Sequence, residues 1–361
     1  MNEHNFAVIM AGGIGSRFWP MSRTSYPKQF HDILGTGKTL IQMTFDRLKR
    51  IVPAENIYVV TNERYRSQVL EQLSEMIPDQ VLCEPFMRNT APCIAYANFR
   101  IAKKDPNARI IVAPSDHLIT DESAFVETAQ LALEETTSSL NLVTLGIRPS
   151  RPDTGYGYIQ FEEDDKSASD RIMRVKTFTE KPNLELAQSF IDSGDFYWNS
   201  GIFIWSLENI QRAFSNHLPE MFELFSAHAE AFGTEAENKT IERIYSESEN
   251  ISIDYGIMEK ARNVKVVLSD FGWSDLGTWG SLYTHLEQDD QGNGTVGEVM
   301  AYQSANNVIY GQKDKLIVLQ GLSDYIVVDT NDALLICKKA DEQKIKSIVN
   351  DLKVNKEGDH V

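Results

Sequence analysis

Cysteine is scarce in this chain of 361 residues: Cys83, Cys93 and Cys337 are the three. An odd number without zinc-ligand spacing argues against a disulfide framework and a zinc site. The three read instead as small buried apolar residues. Long apolar runs are also missing. None approaches the roughly 18 residues of a membrane-spanning helix. No basic segment precedes the short apolar run at the N-terminus, so no signal peptide is expected and the expected location is the cytoplasm. Positive charge is in short supply: Lys and Arg total 35 against 52 Asp and Glu, a net charge of −17. That balance argues against nucleic acid and anionic membrane as partners. An anionic substrate is not excluded, but local cations must then overcome a repulsive field. The weight falls on Arg17, Arg23, Lys28 and Lys181.

What is present is an ordinary globular composition, 42% hydrophobic and 24% charged. The length suits two domains, or one large domain and an appendage. The apolar run Phe6 to Met10 reads as a buried strand, and Ala11-Gly12-Gly13-Ile14-Gly15-Ser16-Arg17 follows it. Glycines there let the backbone approach an anion closely and expose N–H groups to phosphate. Arg17 adds a planar cation that matches phosphate oxygens, and Pro27-Lys28 sets a second cation on a stiffened backbone. Two familiar loops are excluded. The dinucleotide fingerprint, begun at Gly13, needs Gly where Phe18 stands. A P-loop ending at Gly37-Lys38-Thr39 needs Gly where Asp32 stands. Taken alone, the loop is either a structural turn or a triphosphate cradle.

Strand and helix patterns then alternate to about Leu145, which implies β-α-β units and a mostly parallel sheet with helices on both faces. Ligands of such sheets bind beyond the carboxyl ends of the strands. Two further loops lie there. Glu84 to Thr90, with Pro85, Arg88, Asn89 and Thr90, is either a capped loop or a wall for a nucleotide base. Pro114-Ser115-Asp116-His117 offers Asp116 as a turn residue or as a Mg²⁺ ligand, because a carboxylate among phosphates requires a bridging hard cation. After residue 150 the strands carry larger insertions. Thr154 to Ile159, containing Gly157, is a hairpin corner or a flat surface for a sugar. Glu180-Lys181-Pro182 is an exposed ion pair or a phosphate and hydroxyl contact, and Asn199 precedes Gly201 before the chain returns to strand.

Leu207 to about Ser248 reads as an acidic helical insert whose aromatic residues are core. Asp254 reads as a helix cap. Ser274 or Asp275 reads as the cap of a helix beginning near Leu276. Asp289 to Gly294 reads as a linker, followed by short apolar runs starting at 308, 316, 325 and 334. They form an all-β module too small to be very stable alone. The amphipathic helix after it, with Ile345, Ile348, Val349 and Leu352 on one face, either packs back on the module or pairs two subunits. The boundary expected is 1–288 for a catalytic domain and 289–361 for the module and helix.

Several of these stretches resemble the motifs of sugar-nucleotide pyrophosphorylases: Ala-Gly-Gly-x-Gly-x-Arg, Pro-Lys-Gln-Phe at 27–30, Glu-Pro…Arg-Asn-Thr-Ala-Pro at 84–92, and Ser-Asp-His at 115–117. Val8 to Arg23 and Ile253 to Lys260 resemble the mannose-1-phosphate guanylyltransferases in particular. The resemblance covers nearly the whole chain. It implies an α/β, Rossmann-like (GT-A-like) mixed sheet with a C-terminal left-handed β-helix-like module. It also implies GMP transfer from GTP to mannose 1-phosphate, with release of pyrophosphate. Ala11, Gly12, Gly13, Gly15, Ser16, Arg17, Lys28, Pro85, Arg88, Asn89, Thr90, Ser115 and Asp116 would hold the nucleotide. Gly157, Glu180, Lys181, Asn199 and Asp254 would hold the sugar phosphate, and Asp116 and Asp275 a Mg²⁺ ion. Arg17, Lys28, Asp116, Lys181 and Asp275 would carry catalysis. The chain ends at Val361, so the isomerase domain of longer relatives is not expected; a homodimer through the module is left open. Two other readings stand beside this one: a different sugar 1-phosphate or base, and a catalytically silent regulatory subunit that binds a sugar nucleotide.

Overall fold

The computed structural model describes residues 2–162, 171–355 and 360–361. The chain divides into two compact units. The first comprises Met1–Gly12, Thr44–Ser115 and Ile119–Trp273. Its centre is a nine-stranded sheet. From one edge the strands are Val81–Glu84, Ile57–Asn62, Asn5–Met10, Arg109–Pro114, Phe196–Ser206, Leu142–Ile147, Val264–Ser269, Ile172–Glu180 and Gly157–Phe161. The first four run parallel. Side chains along Asn5–Met10 alternate between the two faces. Phe6 and Val8 join a core with the helix Thr90–Lys104, while Ala7 and Ile9 are equally buried outside that cluster. Both faces are therefore covered, which is why the strand reads as a continuous apolar run.

The strand Phe196–Ser206 corrects the expectation of a mostly parallel series. It lies antiparallel between Arg109–Pro114 and Leu142–Ile147, with Arg109 opposite Ser206 and Val143 opposite Ile204. Its aromatic and β-branched side chains are buried along most of its length, as a central strand requires. The helical insert forms as three helices, Leu207–His217, Pro219–Ser226 and Glu237–Glu247. Phe214, Met221, Phe225 and Phe232 are core, as expected of an aromatic-rich insert, while Phe222 is only partly buried against it. No helix among the described residues is long and apolar enough to cross a membrane.

The second unit comprises Gly13–Met43, Asp116–Leu118 and Ser274–Val361. The apolar runs at 308, 316, 325 and 334 are strands starting at those residues, and Gly294–Val296 and Glu298–Tyr302 add two more. Gly294–Val296, Val308–Tyr310 and Tyr325–Asp329 stack in parallel, as do Glu298–Tyr302 and Leu316–Gln320. The stretch expected as a linker is ordered by side chains. Asp289 accepts from the amides of Gln291 and Asn293, and fully buried Asn293 and Asn307 bond to each other between coils. The terminal helix, Ile345–Asn355, packs back: Ile345 and Val349 share a core with Phe18, Trp19, Leu276, Trp279 and Val328. The segment after the glycine loop and the terminal module thus close one hydrophobic core.

Candidate active site

The glycine loop is shaped by what lies against it. Gly15 has φ 72°, and a β-carbon there would lie 2.6 Å from the Lys28 β-carbon. Glycine is required on both counts. The Lys28 amide donates to the Ile14 carbonyl at 3.2 Å, and the Ser22 hydroxyl donates to the same oxygen. Ser16–Phe18 then makes one 3-10 turn, anchored by Phe18, whose ring lies 4.9 Å from that of Trp279. Gly13 has open space where a β-carbon would stand. Arg17 is exposed, and its Nε donates to Gln343 Oε1 at 3.1 Å.

Lys28 is 3% exposed. Its Nζ lies 2.8 Å from Asp116 Oδ2 and donates to the carbonyls of Asp275 at 2.9 Å and Leu276 at 3.0 Å. Both predicted metal-ligand stretches therefore surround one cation. Burial raises the Asp116 carboxyl, but the charges of Lys28 and His117 outweigh it and bring it below its ordinary range. Asp116 is held ionised. Asp275 Oδ1 accepts from the Gly277 amide at 2.9 Å. Leu276 adopts φ 42°, a conformation that side chains rarely take, and it is fully buried. The expected cap at Ser274 or Asp275 is not the one formed. Thr278 caps a later helix, Trp279–Tyr283, through Ser281. No group of three or more His, Cys, Asp or Glu able to hold a metal occurs among the described residues. The donors that Asp116 and Asp275 offer are hard carboxylate oxygens, the type that a divalent metal shared with phosphates takes. Arg23, weighted above as a substrate cation, makes a bidentate pair with Asp332 at 2.8 and 2.9 Å instead.

In the first unit, the ends of the parallel strands are tied together. Ala11 donates to Val60 O and accepts from the Thr61 hydroxyl, and the Ser115 amide donates to Met10 O. Asn89, at φ 67°, caps the helix Thr90–Lys104 by accepting from the Thr90 amide. Thr90 Oγ1 accepts from the Ile253 amide at 2.9 Å, and Arg88 Nε donates to Tyr245 O at 3.1 Å. Pro85 is half-buried. Sequence reasoning named this stretch but not Glu84 as a site residue. Its carboxylate is 7% exposed, accepts from the Tyr245 hydroxyl at 2.9 Å, and has Oε2 3.5 Å from where a Gly12 β-carbon would be. Burial pushes it up to about 7, against the Tyr245 hydrogen bond. A Glu closing a buried strand was the available signal, but Tyr245 lies far along the chain.

The five sugar-phosphate candidates come together in the same unit. Gly157 pairs with Glu180 in the sheet, and a β-carbon on Gly157 would overlap Glu180 Oε2 and lie 3.3 Å from Asn199 Cβ. Asn199 Nδ2 donates to Asp254 Oδ1 at 2.9 Å, and Asn199 Oδ1 accepts from Thr144 Oγ1. Lys181, at φ 49°, donates its amide to Tyr156 O and its ammonium to Glu180 Oε1. Glu180 Oε2 is a buried acceptor without a hydrogen-bond partner among the described residues. Burial, and then the Glu180 charge, push Asp254 up to about 7 against Lys181 and Asn199. The Asp254–Met258 segment is a π-helical turn, a feature concentrated at functional sites. Beside it Tyr156 meets Trp198 and Trp273 edge-on, and Arg151 lies over the rings of Tyr156 and Trp198. Neither Arg151 nor Trp198 was singled out from sequence.

Two clusters thus form: Lys28 with Asp116 and the Asp275 stretch, and Glu180, Lys181, Asn199 and Asp254 around Gly157. Residues 6–292 match the Nucleotidyl transferase family, and residues 297–352 match the MannoseP isomerase/GMP-like beta-helix domain. A Salmonella montevideo protein named mannose-1-phosphate guanylyltransferase is 38% identical over 360 residues, covering 98% of this chain and 75% of that protein. The Pseudomonas aeruginosa alginate biosynthesis protein AlgA is 35% identical over 348 residues, covering 96% of this chain and 71% of AlgA. A solved structure from Thermus thermophilus, described as a mannose-1-phosphate geranyltransferase, superposes with a TM-score of 0.87 at 31% identity. It covers 97% of this chain and 99% of its own. The chain belongs to the nucleotidyl transferase family. Within that family it stands among relatives named mannose-1-phosphate guanylyltransferases.

Proposed function

We propose that this chain transfers GMP from GTP to mannose 1-phosphate, giving GDP-mannose and pyrophosphate. The observation that carries the reading is the meeting of Gly157, Glu180, Lys181, Asn199 and Asp254, drawn from separate segments, in one cluster suited to a sugar phosphate. A phosphate oxygen of mannose 1-phosphate attacks the α-phosphorus of GTP. The new P–O bond forms as the bond to the bridging oxygen of the β-phosphate breaks, and pyrophosphate takes the electron pair. A sugar phosphate with its second pKa near ~6 is largely a dianion at pH 7, so no general base is needed. The obstacle is repulsion, roughly 4 kcal/mol per unit pair at ~4 Å and an effective dielectric of ~20. Arg17 and the N–H groups of the glycine loop meet the triphosphate, and Lys181 meets the sugar phosphate. Lys28 holds Asp116 and the Asp275 stretch in place for the triphosphate. Asp116 and Asp275 would hold Mg²⁺, which supplies charge neutralisation across the phosphates.

Glu84 is our candidate for reading the base. Guanine presents two adjacent donors, N1–H and the 2-amino group, and a carboxylate accepts both. The adenine edge presents no such pair. The boundary of 1–288 and 289–361 stays a proposal, supported by family matches ending at 292 and beginning at 297; the compact units divide the chain differently, the second taking in Gly13–Met43, Asp116–Leu118 and Ser274–Val361. A homodimer through the module is left open and is tested by light scattering. The reaction itself is tested with GTP labelled at the α-phosphate. Label should move into a sugar nucleotide only when mannose 1-phosphate is present. Label that stays in GTP with a folded protein would refute the proposal.

A further inference from the structure

We propose that Gln343, in the terminal module, is a positioning residue for Arg17. The proposal rests on the reading that Arg17 meets the triphosphate. Arg17 is on the surface, where a long side chain samples many rotamers, and ordering such a chain costs conformational entropy. The bond from Arg17 Nε to Gln343 Oε1, at 3.1 Å, removes part of that freedom before substrate arrives. The choice of an amide is chemically apt. Arginine has five N–H donors, and Gln343 takes the one on Nε without neutralising the charge. The two terminal nitrogens, which form the fork that fits phosphate oxygens, remain. A carboxylate at the same place would compete with the nucleotide.

Gln343 is itself on a braced platform. It lies in the 3-10 turn Lys339–Lys344. Its neighbour Glu342 accepts from the Gly280 amide at 2.7 Å, just after the Asp275 stretch. A β-carbon on Gly280 would come within 2.8 Å of that carboxylate, so the fit is close. Lys339 Nζ lies 3.4 Å from the Tyr283 ring centroid, and Ile345 is fully buried. The segment carrying Arg17 is tied to the same module twice more. Trp19 Nε1 donates to His360 O at 2.7 Å, and Arg23 pairs with Asp332. The β-helix module is therefore built into the nucleotide half of the site, and Gln343 is the point at which it reaches a substrate-binding side chain.

The test is a double-mutant cycle read by pyrophosphate release, with GTP and mannose 1-phosphate varied separately. Gln343→Met keeps the bulk and removes the acceptor. It should raise KM for GTP roughly 3- to 10-fold, the scale of one hydrogen bond to a charged group at an exposed site. KM for mannose 1-phosphate and the melting temperature should not move. In an Arg17→Ala background the same substitution should add nothing. If Gln343→Met leaves KM for GTP unchanged while Arg17→Ala raises it, or if the two effects multiply, the positioning proposal is overturned and the Arg17 reading survives. If Arg17→Ala itself has no effect on GTP, that underlying reading fails first.

Discussion

Replacing Glu84 by Gln should make this protein more stable and less able to bind GTP. The carboxylate is buried and titrates near 7 against an ordinary 4.5. Because its folded-state value is raised, the native protein holds this proton when the unfolded chain has released it. The contribution to stability is complete below pH 4.5 and is lost as pH rises through 7. A shift of that size corresponds to about 3 kcal/mol. The Glu84→Gln variant has nothing to ionise at this position and can still accept from Tyr245. Urea unfolding at pH 8 should therefore find it more stable by up to about 3 kcal/mol, with the difference vanishing near pH 4. Binding should go the other way. An amide offers guanine one acceptor and one mismatched donor, and loss of a charged hydrogen bond costs about 1.5–3 kcal/mol, or roughly 10- to 100-fold in kcat/KM for GTP. The gap between GTP and ATP should narrow accordingly. In the parent protein, KM for GTP should rise as pH falls below 7. A variant that loses stability at pH 8, or that keeps its preference for GTP, would refute the reasoning.

Asp116→Asn should leave a folded protein, since Lys28 keeps the carbonyls of Asp275 and Leu276 as acceptors, but turnover should fall by roughly 100-fold or more. Undiminished kcat with normal circular dichroism would sink the metal assignment. Lys181→Ala should raise KM for mannose 1-phosphate roughly 10-fold and spare GTP. A change confined to GTP would place Lys181 with the wrong substrate. Gly15→Ala should lower stability by about 2–4 kcal/mol, combining the left-handed backbone with the overlap on Lys28. An unchanged urea midpoint would show that the loop relaxes freely.

The residues that were legible in sequence are those whose signal is local. The strands beginning at 308, 316, 325 and 334 are apolar runs between turn residues, and they form where the runs begin. Gly157, Glu180 and Lys181 sit at strand ends, whereas Asn199 lies inside Phe196–Ser206 and Asp254 opens a π-helical turn, so it is the family resemblance and not the period of the chain that marks them as one group. What escaped depends on partners distant in sequence. The antiparallel position of Phe196–Ser206 is decided by which strands it separates, and its own residues suit any central position. Glu84 becomes distinctive only beside Tyr245 and Gly12. Arg23 looked like a phosphate ligand until Asp332 took both ends of its fork. The cap near Asp275 was placed too early because Ser274, Asp275 and Thr278 are all competent. Thr278 forms the reciprocal pair with Ser281, and Asp275 instead accepts from Gly277.

The central claim is guanylyl transfer to mannose 1-phosphate, and pyrophosphate release tests it most directly. The assay would run with Mg²⁺ over a grid of four nucleoside triphosphates and several sugar 1-phosphates. Release confined to GTP with mannose 1-phosphate is the predicted result. Release with another pair, or none from a folded protein that still binds GDP-mannose, would contradict it.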